Sequence, residues 1–138
     1  MSGFTNKLKA EMLAAFFKGA SMPASFFLAL ATNATAFGPD TNTLSDLTEI
    51  APGNGYTQGG IAIAKYAIDF PTSSEDDTND KGIIGLKNIV FTATGGSIPA
   101  SGNGARYAVL TGPGATVGSR KVYLSIDLQS EPYPMDRN

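Results

Sequence analysis

The chain contains no cysteine, no histidine and no tryptophan. Without cysteine there are no disulfides, no thiolate nucleophile, no zinc finger and no iron–sulfur centre. Without histidine the Ser-His-Asp and Cys-His machineries are excluded, along with the commonest metal ligand and the commonest general base. Charge is also sparse, at 16 % of residues against roughly 25 % in an ordinary globular domain. The net charge of −2 and an isoelectric point near 4.9 argue against a nucleic-acid partner, which calls for a basic stripe. Long apolar runs are missing too, so no segment reaches the roughly 20 residues that span a bilayer. Lys7 and Lys9 before an apolar run, with Ala34-Thr35-Ala36 beyond it, mimic a secretion signal. Glu11, Lys18, Gly19 and Pro23 interrupt that run, so no cleaved leader is expected.

What is present is the composition of a turn-rich β protein. Apolar residues make up 42 % of the 138 residues, with Gly 16 and Pro 8. That length suits one domain, since a single core serves roughly 100–200 residues. Only the first segment has helical periodicity. Leu8, Met12 and Phe16 recur at i, i+4 and i+8, and Leu13 and Phe17 widen the face. Thr5 or Ser2 offers an N-cap and Gly19 a left-handed stop, so a helix is expected over about residues 5–18. From Phe26 to Ala31 both parities are apolar, which predicts a strand covered on both faces, one of them by the helix. Residues 33–58 read as a long polar connection, with a short helical turn between Thr43 and Ile50.

Further strands are expected within Gln58–Phe70, with a bend near Lys65, within Ile83–Phe91, over Arg106–Thr111 and over Lys121–Leu128. In the last, Val122, Leu124, Ile126 and Leu128 alternate with Tyr123, Ser125 and Asp127. The expected fold is mainly β: an antiparallel β-sandwich or jelly-roll-like domain over residues 1–129 with one N-terminal α-helix, followed by an extended C-terminal arm over 130–138.

Candidate chemistry is thin. Glu75-Asp76-Asp77-Thr78-Asn79-Asp80 is the densest charge, and clustered carboxylates suit Ca²⁺. In an EF-hand register starting at Asp77, however, Lys81 takes a ligand position and Asn88 replaces the bidentate glutamate. A solvated hairpin loop is the simpler reading, and no metal or other cofactor is expected. The glycine clusters match neither phosphate-loop pattern and read as turns. Asp69 and Asp127 are the two carboxylates nearest strands that a hydrolase would have to bring together. Arg106, Arg120 and Lys121 make at most a small basic patch. The pairs Phe16-Phe17 and Phe26-Phe27 mark either core, the commoner fate, or a partner surface. No catalytic residue is identified and the chain is not expected to be an enzyme.

The order of several segments goes further. Lys7-Leu8-Lys9, Leu13 and Phe16-Phe17-Lys18-Gly19-Ala20 come first, then Phe27-Leu28-Ala29-Leu30-Ala31-Thr32. The run from Leu47-Thr48-Glu49-Ile50 through Gly53-Asn54-Gly55-Tyr56 to Gly59-Gly60-Ile61 follows. Asn88-Ile89-Val90-Phe91-Thr92-Ala93-Thr94-Gly95 and Ala105-Arg106-Tyr107-Ala108-Val109-Leu110 complete the series. Over roughly residues 4–128 this layout resembles a family of small tailed-bacteriophage virion proteins, labelled tail-fibre, minor structural or head decoration proteins. The resemblance implies a virion structural role, most simply a capsid decoration (cement) protein on the outer head surface. Its implied partners are the major capsid protein, or other virion subunits, and further copies of itself in a trimer or another symmetric cluster. Neither nucleic acid nor membrane is an expected partner.

A tail, collar or baseplate part is the alternative implied by the same resemblance, and a carbohydrate-binding β-sandwich a further one. Members usually continue with strands beyond the match to Val122–Leu128, so an open sheet edge closed by a neighbour or an exchanged arm is expected here. The candidate assembly contacts are Leu8, Met12, Phe16 and Phe17 on the helix, and Pro132, Tyr133 and Pro134 in the arm.

Overall fold

Two strands form the centre of the protein, in a computed structural model that describes residues 3–128. Strand β2 (Phe26–Ala31) pairs antiparallel with β6 (Tyr107–Thr111), setting Leu28 opposite Leu110 and Leu30 opposite Ala108. Flanking them are β3 (Ile61–Ile63) beside β2, β7 (Val122–Asp127) beside β6, and the short β1 (Gly3–Phe4) beside β7. The order of this antiparallel sheet is β1-β7-β6-β2-β3. A second antiparallel sheet is the hairpin of β4 (Thr72–Asp76) and β5 (Lys81–Gly85). With one N-terminal helix, α1 (Asn6–Lys18), the architecture is mainly β and sandwich-like but not closed. The arm residues Pro132, Tyr133 and Pro134 lie outside the described residues.

The expectation of a doubly covered β2 is met. Leu28, Ala29, Leu30 and Ala31 are all buried, as is every residue of β6. The covers differ from the expected ones. On one face Ala29, Ala31, Tyr107, Val109 and Val122 pack under Phe37, Leu44 and Leu47. On the other, Leu28, Leu30, Ala108 and Leu110 pack under Ile50, Tyr56 and Ile63, with Phe70, Leu86, Ile89 and Phe91 at the margin. Irregular chain with scattered apolar residues supplies much of both covers, and no residue of α1 is buried. The expected helix cover is absent from both clusters, and α1 approaches β2 at Phe26, across a crevice shared with Tyr123.

Local chemistry explains the irregular cover. Between Leu44 and Asp46 the chain makes one 3₁₀ turn. Asp46 Oδ2 accepts from the Asn42 and Thr43 amides at 3.0 and 2.9 Å, which holds that carboxyl below its usual range. This places Leu44 and Leu47 on the sheet. The expected long strand around Ile61 is short: it stops at Ile63, and a 3₁₀ turn follows at Tyr66–Ile68, with Tyr66 at φ 64°.

The alternation in β7 is also broken. A register shift between Leu110 and Thr111 leaves Tyr123 as an extra residue, so Val122 opposes Thr111 while Leu124 opposes Leu110. Val122 consequently joins the opposite cluster from Leu124 and Leu128. A bulge reverses side-chain parity across itself, and the sequence pattern alone reads as uninterrupted.

Candidate functional site

Helix α1 is anchored at its start and left open at its end. Fully buried Thr5 caps it: its Oγ1 accepts from Leu8 N–H at 3.1 Å and donates to Val122 O at 2.8 Å. Asn6 N–H donates to Pro39 O at 2.8 Å, and Asn6 Nδ2 donates to Asp40 Oδ1 at 2.8 Å. Gly19, at φ 68°, ends the helix in the left-handed region, which a Cβ would disfavour. Along one side Leu8, Glu11, Met12 and Ala15 line a narrow crevice with Phe26 and Tyr123. There Lys121 Nζ donates to Glu11 Oε1 at 2.5 Å and the Tyr123 hydroxyl to Oε2 at 3.0 Å. Partial burial would raise the Glu11 pKa, but those two bonds outweigh it and the carboxyl sits below its usual range.

Among the described residues, the other side of α1 is open. Phe16 is 83 % exposed, Phe17 74 % and Leu13 59 %, and Met22 just beyond is 61 % exposed. The two phenyl rings lie edge to face, 4.9 Å apart. Full burial of both by a partner would contribute about 3–6 kcal/mol. Phe16 and Phe17 are thus surface, not core, whereas Phe26 and Phe27 are half-buried in β2. Of the candidate contacts, Leu8 lies on the anchored side, Met12 between the two sides, and Phe16 and Phe17 on the open one.

A second apolar surface lies under the hairpin. The acidic run forms its tip. Asp76 Oδ1 accepts from the Thr78 and Asn79 amides at 3.1 and 3.2 Å, and Oδ2 from Asn79 Nδ2 at 2.8 Å. The Asn79 side chain leads in holding the Asp76 carboxyl below its usual range. The run is solvent-facing and turns a hairpin, as expected, but Glu75 and Asp76 belong to strand β4 and not to a loop. Between β5 and the main sheet opens a cleft of about 530 Å³, lined by Phe4, Phe70, Ile83, Ile84, Leu124 and Ile126 among others. Phe4, Ile83, Ile84 and Ile126 remain about half exposed. Alternation in β5 was obscured by glycines on both sides of Ile83-Ile84, so the sequence does not reveal this surface.

Several other charged groups are tied into the fold. Asp69 and Asp127 each have their own cation. Lys87 pairs with Asp69 and, together with the Ala64 amide at 2.6 Å, holds that carboxyl low. Arg106 grips Asp127 through two bonds of 2.6 and 2.8 Å, joining the start of β6 to the end of β7 and raising the Arg106 pKa. The expected basic patch is dispersed as well. Lys121 serves Glu11, and Arg120 lies buried over the Phe27 ring at 3.8 Å with its Nε donating to Gly114 O at 2.9 Å. Tyr56 and Glu49, noted in the sequence only as part of an ordered segment and given no role, form a part-buried polar pair at 2.6 Å.

These networks join strand ends and loops; the open face of α1 lies outside both core clusters, while the cleft has core residues Leu28 and Leu110 in its lining. Among the described residues no helix is long and apolar enough to cross a membrane. Comparison with protein-family models, with curated proteins and with solved structures finds no match to this chain.

Proposed function

We propose that this chain is a structural subunit of a larger assembly, and specifically a capsid decoration protein that binds the outer surface of a tailed-bacteriophage head. The observation that carries the assembly reading is the open face of α1. A short helix anchored by polar contacts presents Leu13, Phe16 and Phe17 to solvent, and contiguous exposed apolar surface marks an interaction site. The virion setting rests on the ordered resemblance of residues 4–128. A decoration protein acts by mass action: binding only the assembled shell, it stabilises that shell by RT ln(1 + [L]/Kd) at each of many equivalent sites.

The test is copy number. Particles are purified, heads are separated from tails, and this chain is quantified against the major capsid protein. A stoichiometric ratio in the head fraction, with stripped heads less resistant to heat, is the expected result. A few copies travelling with tails would overturn the decoration reading in favour of a tail or collar part. Absence from both fractions would overturn the virion reading altogether.

A further inference from the structure

We propose that copies of this chain join head to tail, the Phe16–Phe17 end of α1 in one copy seating in the cleft beneath the β4–β5 hairpin of the next. Both halves of the contact are on the same chain. The projecting half is Leu13, Phe16, Phe17 and Met22, all more than half exposed. The receiving half is the cleft of about 530 Å³, walled by Phe70, Ile83, Ile84, Leu124 and Ile126. No residue of α1 lines that cleft, so the chain does not fill it with its own helix.

Charge selects the same pairing. Lys7, Lys9 and Lys18 flank the apolar side of α1, whose single acid, Glu11, is already engaged by Lys121. The hairpin above the cleft carries Glu75, Asp76, Asp77 and Asp80 toward its tip, outside the cleft lining, against one Lys81 that lines the cleft. Opposite fields around matching apolar centres favour this encounter and fix its orientation. The rival arrangement, α1 against α1, sets the lysines of two copies against each other, and like-charge juxtaposition disfavours it. A hairpin is also marginal alone in water, and an inserted helix would brace it against the sheet. Because knob and cleft are different surfaces, the contact is heterologous and builds closed rings or open filaments according to its rotation. The inference deepens the assembly reading but does not require a virion, and its failure would leave the head-fraction result untouched.

Sedimentation of the full chain tests it. Wild type is expected to self-associate. Phe16→Ser/Phe17→Ser removes the knob and Ile84→Arg blocks the cleft; both alter exposed residues, and circular dichroism verifies their folding. Each variant alone is expected to be monomeric, while their 1:1 mixture forms a dimer, since one copy keeps its cleft and the other its knob. A second pair relies on charge alone: Lys9→Glu/Lys18→Glu is expected to lose association and to regain it when mixed with Glu75→Lys/Asp77→Lys. A monomeric wild type at its highest soluble concentration would overturn the proposal. So would an Ile84→Arg variant that still associates while the phenylalanine variant does not, because the helix would then be pairing with itself. Monomeric wild type combined with loss of head binding in Phe16→Ser/Phe17→Ser would reassign α1 to a capsid partner.

Discussion

Tyr56 sits where two different neighbours of β2 meet, and removing its hydroxyl isolates one hydrogen bond of that seam. Strand β3 pairs with β2 only from Phe26 to Leu28. Past that point residues 48–50 take over, with Thr32 N–H donating to Thr48 O at 2.7 Å and Ile50 N–H to Leu30 O at 3.0 Å. The Leu30 amide falls between them and donates to the Tyr56 hydroxyl oxygen at 2.9 Å, while that hydroxyl donates to Glu49 Oε1 at 2.6 Å. In Tyr56→Phe the ring keeps its place beside Phe91, with centroids 5.7 Å apart in the wild type, but the Leu30 N–H loses its acceptor inside the core.

An orphaned buried donor costs about 1–3 kcal/mol. Taking about 2 kcal/mol, and about 3–5 °C per kcal/mol for a chain of this size, the melting temperature should fall by roughly 6–10 °C. The alkaline limb gives an independent reading. Burial, and then the Glu49 carboxylate, push the Tyr56 pKa up from its ordinary 10.0. Burial and Glu11 do the same for Tyr123. A group whose folded pKa is raised contributes stability that is complete below the unfolded value and is lost as pH rises past it. Wild type should therefore lose up to about 1.4 kcal/mol per pH unit per tyrosine above about pH 10. Tyr56→Phe should lose only the share of Tyr123, about half that slope. A melting temperature within about 1 °C of wild type, or an unchanged alkaline slope in urea titrations, would refute this account of the seam.

Thr5→Ala deletes both the cap on Leu8 and the bond to Val122 O, and should cost about 1–3 kcal/mol. Amide exchange should accelerate first in the opening turn of α1, and uniform acceleration across the sheet would contradict that placement. Gly60 has φ 84°, and a Cβ there would lie 1.8 Å from Leu28 O. Gly60→Ala must therefore part β3 from β2, and it should lower the melting temperature by more than Tyr56→Phe does. For Asp69, Lys87 first and then the Ala64 amide depress the pKa below 3.8. Its stabilisation is present above that value and disappears as pH falls through the lower, folded one. Asp69→Asn should weaken the protein at pH 7 yet leave it close to wild type near pH 2, as measured by denaturant unfolding at the two values.

The parts of the fold that were legible in the sequence are those with a local physical signature. Thr5 and Gly19 bracket the helix because one supplies an acceptor to free amides and the other tolerates positive φ. The double apolar parity of Phe26–Ala31 reports a strand buried on both faces. What escaped has no local signature. Phe37, Leu44, Leu47, Ile50 and Tyr56 are spaced among polar residues with neither helical nor strand period, yet they supply covers to both faces of the sheet. The flip at Val122 arises from a register shift with β6, which the pattern of β7 by itself cannot encode. The amphipathic stripe of α1 was visible, but its exposure depends on whether the sheet has a free face to offer. The same holds for the cleft, whose walls come from β1, β5, β7 and the loop around Phe70.

These two kinds of outcome share a cause. Irregular segments already occupy both faces of β2 and β6, so the core is complete without α1. A 13-residue helix is marginal on its own in water and must be held by something else. Thr5, Asn6 and Glu11 do so, through the Val122 carbonyl, Pro39 and Asp40, and Lys121 and Tyr123 respectively. All of those contacts are polar and fall in the first half of the helix, whereas Phe16 and Phe17 lie in its last turn. The residues that fix α1 are therefore distinct from those it presents. Phe16→Ser/Phe17→Ser is therefore expected to leave the fold intact, and a melting temperature within about 1 °C of wild type would check it.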